Sequence, residues 1–317
     1  MKEFTVKTND EGRRLSKYAQ NILCNAPSSF TYKMLRKKNI LLNDKKASGN
    51  ELLSTGDRVS FYLSDETFEK FSAKAAVNID TSGQMPDIIY EDDDVLIVDK
   101  PSGMLTQRSS SDDISLNEIC LSYVNSKKQP ASDEPDSFTP SVCNRLDRNT
   151  SGLVTFAKTY RGARILAAAF RSHSIGKYYK CIVAGRLDIE LSLSGYLVKD
   201  RKTNKVTILE NDKSGSYIRT LIKPEMIRDT LTLLSVRLIT GKTHQIRAHL
   251  SSIGHPIIGD DKYGNRKIND QYRRYGIDSQ MLVCHKMVFP DDLELTRLSG
   301  KEITTGIPDE FNRVLKG

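Results

Sequence analysis

The sequence predicts an α+β protein, with a small α+β domain at the N-terminus and a larger domain built on a mixed or antiparallel sheet. Short runs of apolar and β-branched residues alternate along most of the chain with only a few helical patterns. Residues 71–86 are mainly small and polar and show no such pattern, so they are expected to form a linker. The predicted domains are therefore residues 1–70 and 87–317, and a chain of 317 residues is long enough for both.

The first predicted domain begins with two helices. Apolar residues from Leu15 to Leu23 recur with the i, i+3, i+4, i+7 spacing of an amphipathic helix, which Pro27 ends. A serine at position 28 or 29 can cap a second helix that continues through Lys38. Strands are expected at 40–42 and 58–62, each next to a turn rich in Asn, Asp or Gly.

The second predicted domain contains most of the strands. The runs expected to form them are 88–90, 95–98, 153–157, 178–183 and 232–238. Helices are expected at 163–170 and at 244–253, and Gly254 and Pro256 provide the stop signals of the latter. The polar stretch 125–141 contains three prolines and is expected to be a surface loop.

Composition and charge restrict the classes of function. Lys and Arg total 48 against 40 Asp and Glu, and the net charge of +8 favours a polyanionic partner such as nucleic acid. The five cysteines form no C-x-x-C pair and are odd in number, which predicts neither a zinc ribbon nor a disulfide framework and favours a reducing, cytoplasmic compartment. No apolar run approaches the roughly 18 residues that span a bilayer, so no membrane partner is expected.

One segment of the larger domain combines charged side chains with turn residues. Residues 144–153 read NRLDRNTSGL, and in an extended stretch Arg145 and Asp147 project to the same side. A Thr-Ser-Gly turn then leads into the predicted strand at 153–157. On spacing alone a surface ion pair is the simpler interpretation, because Arg-x-Asp is a common pattern.

Residues 144–153 resemble the H-R-L-D-x-x-T-S-G-L signature of the RluA family of pseudouridine synthases. The resemblance implies isomerisation of uridine to pseudouridine in RNA without a cofactor, with Asp147 as the catalytic residue. It also implies that Arg145 helps to displace the target base. Asn144 stands where the family usually has histidine. Its amide can bind a phosphate or a backbone group but cannot become cationic.

Four further segments match the family in the same order, over nearly the whole chain. They are KPSG at 100–103, KYYKCIVAG at 177–185, TGKTHQIR at 240–247 and GHPIIGDDKYG at 254–264. Tyr179 shares one strand face with Cys181 and Val183 and is therefore assigned as the family's active-site tyrosine. Arg247 corresponds to the active-site basic residue, whose guanidinium can bind the carboxylate of Asp147.

The N-terminal domain resembles an S4 RNA-binding domain. The matching segments are RRL at 13–15, YKMLRKK at 32–38, LNDKK at 42–46 and GDRV at 56–59. The resemblance implies that the basic helix contacts RNA through Lys33, Arg36, Lys37 and Lys38, and a solvated basic face is the alternative. A domain of this kind ahead of a synthase favours 23S-type ribosomal RNA as the partner, and the protein is expected to act as a monomer.

Several alternatives remain open at this level. The protein could instead modify tRNA, or be a ribosome-assembly factor that binds RNA without catalysis, although the intact Asp147, Tyr179 and Arg247 argue against the latter. The GKT triplet at 241–243 lacks the first glycine of a phosphate-binding loop, and the histidines at 244, 249 and 255 have no zinc-site spacing, so no metal site is expected. Arg219 lies in a YIRTL stretch that resembles another synthase family, but Arg247 already fills the corresponding role.

Overall fold

The structure is a computed structural model. It describes residues 1–72, 81, 83–110, 112–127, 138–200, 203, 205–209 and 214–316. Much of the predicted linker, and residues 128–137 of the predicted surface loop, lie outside the described residues.

Eight α-helices lie in the part of the chain that the structure describes. They are α1 (Leu15–Ile22), α2 (Ser28–Arg36), α3 (Asp65–Ser72), α4 (Leu116–Ser126), α5 (Tyr160–Arg171), α6 (Gln245–Ser252), α7 (Arg266–Tyr272) and α8 (Asp309–Lys316). Within these described ranges, every helix is too short or too polar to traverse a bilayer.

The same described ranges contain 15 β-strands. They are β1 (Lys2–Thr5), β2 (Ile40–Leu42), β3 (Lys45–Lys46), β4 (Arg58–Phe61), β5 (Asp87–Glu91), β6 (Val95–Lys100), β7 (Ser141–Val142), β8 (Ser151–Ala157), β9 (Gly176–Ala184), β10 (Leu191–Lys199), β11 (Val206–Leu209), β12 (Ser216–Ile227), β13 (Leu231–Leu238), β14 (Leu282–Val288) and β15 (Glu302–Thr304).

The N-terminal unit is a four-stranded antiparallel sheet with the order β1-β4-β2-β3, and it has a hydrophobic core of its own. The core includes helix α3, which the sequence analysis did not predict and which crosses the expected boundary at residue 70. The ring of Phe68 lies 5.8 Å from that of Phe61 and 6.0 Å from that of Phe4. The N-terminal core therefore needs α3, and the unit extends at least to Ser72.

The larger unit is built on one sheet with the strand order β11-β10-β12-β13-β9-β14-β8-β6-β5, to which β15 and β7 add at β14 and β8. All its strand pairs are antiparallel except β14 with β8, which is parallel. The sheet is therefore mixed, and the predicted α+β class is confirmed. A second, larger hydrophobic core surrounds its central strands.

The parallel contact between β8 and β14 depends on a glycine. Gly152 has a φ of +112°, and a Cβ on this residue would lie 2.3 Å from the carbonyl oxygen of Cys284. Only glycine combines this backbone conformation with so close an approach. The contact brings the turn before β8, which contains Asp147, to the strand that pairs with β9.

Candidate active site

A cleft of about 800 Å³ opens in the larger unit. Its described walls come from the turn before β8, the start of β9, the β13–α6 loop and the first turn of α6. It brings together five residues that the sequence predicted as site residues, namely Asn144, Arg145, Asp147, Tyr179 and Arg247. The segments that contain them are separated by tens of residues in sequence, so the sheet topology assembles this site.

A buried guanidinium joins two carboxylates at the base of the cleft. Arg247 Nη1 donates to Asp147 Oδ2 at 2.9 Å, while its Nε and Nη2 donate to the two carboxylate oxygens of Asp260 at 2.7 and 2.9 Å. The side chain of Asp260 is fully buried, whereas that of Asp147 is 25% exposed. Arg247 is thus fixed from behind by Asp260 and presents one N–H group to Asp147.

Arg247 and Asp260 each stabilise the charged form of the other. Burial favours the neutral form of Arg247, but the hydrogen bonds and charge of Asp260, followed by Asp147, raise the pKa of the guanidinium above its ordinary value. Burial also favours protonated Asp260, but hydrogen bonds and charge from Arg247 hold the pKa of this carboxyl below its usual range. The sequence analysis gave Asp260 no role, although the residue lies in the matched segment 254–264.

A fully buried lysine holds the turn that contains Asp147. Lys100 donates from Nζ to the carbonyl oxygens of Pro101, Met104 and Arg148 at 2.8–2.9 Å. Burial lowers the pKa of Lys100 to about 8, against the opposing effect of Asp147. The KPSG segment therefore fixes the backbone directly after Asp147, a role that its turn-like sequence did not reveal.

Asn144 and Arg145 differ in their partners. The side-chain oxygen of Asn144 accepts from the backbone N–H of Thr155 at 2.8 Å and from its hydroxyl at 2.9 Å. Asn144 therefore uses its amide on the backbone of β8, one of the two uses expected for it. Arg145 is exposed at the cleft and forms no hydrogen bond or ion pair with a described residue, so its guanidinium is free to contact a ligand.

Tyr179 is 5% exposed and lies on β9 opposite Cys284 of β14 and Val236 of β13. Burial raises the pKa of its phenol well above the ordinary value, and Cys284 and Asp147 add to the shift. Tyr179 is therefore a neutral phenol in the wall of the cleft at physiological pH.

His244 is a further residue of the site, which the sequence analysis weighed only as a metal ligand. It precedes α6 in the left-handed region with a φ of 55°, a conformation unusual for a residue with a side chain. One ring nitrogen lies 2.9 Å from the hydroxyl of Tyr263, and the other lies 3.9 Å from Asp147 Oδ2. Burial lowers the pKa of His244 in spite of Asp147, which favours the neutral ring, and the hydrogen bond with the Tyr263 hydroxyl fixes the orientation of that ring.

The predicted RNA-binding residues of the N-terminal unit do not line the described walls of this cleft. Lys33 and Arg36 lie on the exposed face of α2, and Lys37 and Lys38 follow directly after it. None of the four forms an ion pair with a carboxylate of the described residues. Their contact with RNA stays a prediction.

The match to known proteins defines the class to which this fold and site belong. Residues 94–252, half of the chain, match the family model of RNA pseudouridylate synthases, and the chain therefore belongs to this family. It is similar to a Mycoplasma capricolum protein described as an uncharacterized RNA pseudouridine synthase, with 34% identity over 87% of this chain and 89% of that one. It is also 30% identical to the ribosomal large subunit pseudouridine synthase C of Vibrio cholerae, over 88% of this chain and 85% of the relative.

Solved structures share the fold at lower identity. Human RNA pseudouridylate synthase domain containing 4 superimposes with a TM-score of 0.58 at 19% identity, over 73% of this chain and 92% of that chain. Human RNA pseudouridylate synthase domain containing 1 gives a TM-score of 0.56 at 20% identity, over 74% of this chain and 86% of the other. The chain is an RNA pseudouridine synthase, as the sequence analysis predicted.

Proposed function

We propose that this enzyme converts specific uridines of large-subunit ribosomal RNA to pseudouridine, with Asp147 as its catalytic carboxylate. One observation carries the assignment of Asp147. Among the described residues that line the cleft it is the only carboxylate, and Arg247 orients it at 2.9 Å. The choice of ribosomal RNA rests on the name of the Vibrio cholerae relative.

The reaction needs few groups. The N1–C1′ bond breaks and its electron pair leaves with the uracil, the base turns, and a C5–C1′ bond forms. C5 then loses a proton and N1 gains one, so the product is an isomer of the substrate. An ionised carboxylate beside C1′ serves two possible routes, attack on C1′ or removal of a C2′ proton. Tyr179 supports the uracil ring and assists the proton transfer at C5.

The uridine has to leave its stack before this chemistry, at a cost of a few kcal/mol in structured RNA. Arg145 is exposed at the cleft and is placed to fill the vacated position. Further cations that line the cleft are Arg148, Lys199, Lys242 and Lys262. They suit the phosphates on either side of the extruded nucleotide.

The ribosomal substrate is tested by mapping pseudouridines in total RNA from a deletion strain and from its wild-type parent. We expect sites to disappear from large-subunit ribosomal RNA and to return with a plasmid copy of the wild-type protein, but not with the Asp147→Asn variant. Loss confined to tRNA would overturn the proposed substrate and favour the tRNA alternative. This substrate proposal is separate from membership in the enzyme family.

We further propose that the N-terminal unit contributes to RNA affinity and leaves the chemistry to the larger unit. Deleting residues 1–72 should weaken RNA binding and make its salt dependence shallower, because each lost phosphate contact removes about 0.7–0.9 from the log–log slope. Some turnover should persist at high RNA concentration, since each unit has its own hydrophobic core. Binding titrations at several salt concentrations measure the slope.

Substitutions in the full-length chain distinguish the effect of losing the basic charges from the effect of losing the folded N-terminal unit. One variant replaces the four basic residues with glutamine, namely Lys33, Arg36, Lys37 and Lys38. The control makes the same charge change at four exposed cations of the larger unit, namely Arg297, Lys301, Arg313 and Lys316. Only the first variant should reduce the salt slope, and equal slopes for the two variants would show that the basic residues of the N-terminal unit are merely solvated.

A further inference from the structure

We propose that Lys177 recognises the target base: its ammonium donates to the uracil carbonyl oxygen opposite the glycosidic bond and stabilises the negative charge that enters the ring when that bond breaks. This inference rests on the proposed function and assigns a residue that the mechanism above does not use. It concerns the same cleft, at the end away from Asp147.

Lys177 is buried without a hydrogen-bonding partner. It is 8% exposed, yet it forms no hydrogen bond or ion pair with a residue that the structure describes. Among the described residues, the side-chain nitrogen and oxygen atoms that lack both a partner and contact with solvent do not include Lys177 Nζ. The Nζ atom is therefore accessible from the cleft that Lys177 lines. Lys100, in contrast, is satisfied by three carbonyl oxygens. When a ligand fills the cleft, this ammonium has to find an acceptor on the ligand, because a charge that is buried without a partner costs free energy.

The fold places Lys177 next to Tyr179. The two residues lie on the same face of β9, about 6.6 Å apart along the strand at the usual rise. Gly241 leaves the space for the ammonium, since a Cβ there would lie 3.1 Å from Lys177 Nζ. The Phe170 ring closes this corner, with its centroid 6.0 Å from Nζ.

The strand register gives the order of these groups along the wall. Lys177 lies opposite Met287 of β14, and Tyr179 lies opposite Cys284. Cys284 also lies opposite Gly152 of β8, and the turn that contains Asp147 precedes that strand, on the side away from Met287. Tyr179 therefore lies between Lys177 and the turn that contains Asp147. A nucleoside with C1′ beside Asp147 and its ring on Tyr179 directs the far edge of the base toward Lys177.

The chemistry of uracil fits a donor at that edge. The carbon opposite N1 in the ring is C4, so the far edge of bound uridine presents O4. After the base has turned and C5 faces the sugar, the opposite carbon is C2, and the far edge presents O2. One ammonium therefore meets a carbonyl oxygen before and after the turn. Cytosine has an amino group in place of O4. This amino group is a hydrogen-bond donor, and an ammonium has no acceptor for it.

The contact strengthens as the reaction proceeds. When the N1–C1′ bond breaks, the electron pair spreads over the ring onto O2 and O4, so the ammonium faces more negative charge than in bound uridine. An interaction that grows toward the transition state raises kcat rather than affinity. Burial of the lysine increases the effect because solvent screens it less.

The first test compares three variants by steady-state kinetics, on an RNA that the wild-type enzyme modifies in the mapping experiment. Lys177→Met should lower kcat about 100-fold, the loss typical of a removed charge-stabilising donor, with KM for RNA within about threefold of wild type. Lys177→Arg, which keeps the cation, should recover part of this loss. The control is Lys180→Met on the opposite face of β9, where Lys180 pairs with Glu225, and it should leave kcat near that of wild type.

Either of two results for Lys177→Met would overturn the proposal. A higher KM and a shallower salt dependence with kcat unchanged in Lys177→Met would mean that the lysine holds a phosphate. Reduced thermal stability together with lost activity would mean a structural role, whereas replacing an unpaired buried ammonium with Met should leave Tm unchanged or raise it. A wrong assignment of ribosomal RNA would appear in the mapping experiment and not in this comparison.

The atom that is contacted is tested with 4-thiouridine at the target position, because sulfur is a weaker hydrogen-bond acceptor than oxygen. The substitution should slow the wild-type enzyme and have little further effect on Lys177→Met, since both changes remove the same contact. Independent, multiplicative effects of the two changes would overturn the assignment of O4.

Discussion

Asp147→Asn is expected to abolish pseudouridine formation, with a loss of roughly 10⁴-fold or more in single-turnover conversion. The substitution is nearly isosteric, and the amide oxygen can still accept the hydrogen bond that Arg247 Nη1 donates at 2.9 Å. It removes the anionic oxygen that both routes at the sugar require. RNA affinity should change little, because phosphate contacts dominate it. Mass spectrometry of the RNA measures conversion, and equilibrium binding measures affinity.

The matched control for this prediction is Asp261→Asn, which makes the same change in charge at an exposed residue next to Asp260. The control should retain conversion and affinity. Substantial pseudouridine formation by Asp147→Asn would remove Asp147 from the catalytic role, while the membership of the chain in the synthase family would be unaffected.

Arg247→Ala is expected to inactivate the enzyme on every RNA and also to destabilise the fold, by about 3–5 kcal/mol. The guanidinium holds Asp147 on one side and the fully buried Asp260 on the other, so its removal leaves a buried carboxylate without its cation. Arg247→Lys keeps the charge but lacks the planar set of donors that joins both carboxylates. It should recover part of the stability and little of the activity, as measured by denaturant unfolding and single-turnover conversion.

Arg145→Ala should fail in a different way, because Arg145 has no partner among the described residues and is proposed to displace the target base. Its loss should matter on a folded stem–loop, where extruding the base costs a few kcal/mol, and much less on an unstructured oligonucleotide with the same target. Relative to wild type, Arg145→Ala should recover on the flexible RNA and Arg247→Lys should not. Equal ratios for both variants on the two RNAs would contradict the division of roles between these arginines.

Several local elements followed from the sequence because their patterns are local. The spacing of apolar residues predicted α1, and the stop signals predicted the end of α6, to within one residue. Helix α2 was predicted at the right place, but the predicted serine cap was wrong, because Pro27 occupies the N-cap and Ser28 is the first helical residue. The strands β8, β9 and β13 were predicted from continuous apolar or β-branched runs. Most residues of α1, α6, β8, β9 and β13 are buried, so in these elements the pattern and the burial coincide.

Other elements were missed because their patterns are mixed. Strand β12 contains Pro224, which has no N–H group for the ladder, and its register shifts between Pro224 and Met226. Strand β14 contains His285 and Lys286 and also has a shifted register. Helix α3 is short and becomes recognisable only when Phe68 is seen in the aromatic core with Phe61.

By itself the sequence determined the α+β class from local apolar patterns. It also determined the family, and the proposal of Asp147, Tyr179 and Arg247 as a catalytic set, from motifs in a fixed order. It left a mixed and an antiparallel sheet open, and the parallel pair of β8 and β14 made the sheet mixed. Only the tertiary structure decided how the set is held. Arg247 and Asp147 are 100 residues apart and meet through the sheet, while Asp260 fixes Arg247 from behind and Lys100 fixes the turn at Arg148. A local pattern reports which face of an element is buried. The pairing of distant strands decides which charged groups are buried together, and groups that are buried together must form ion pairs.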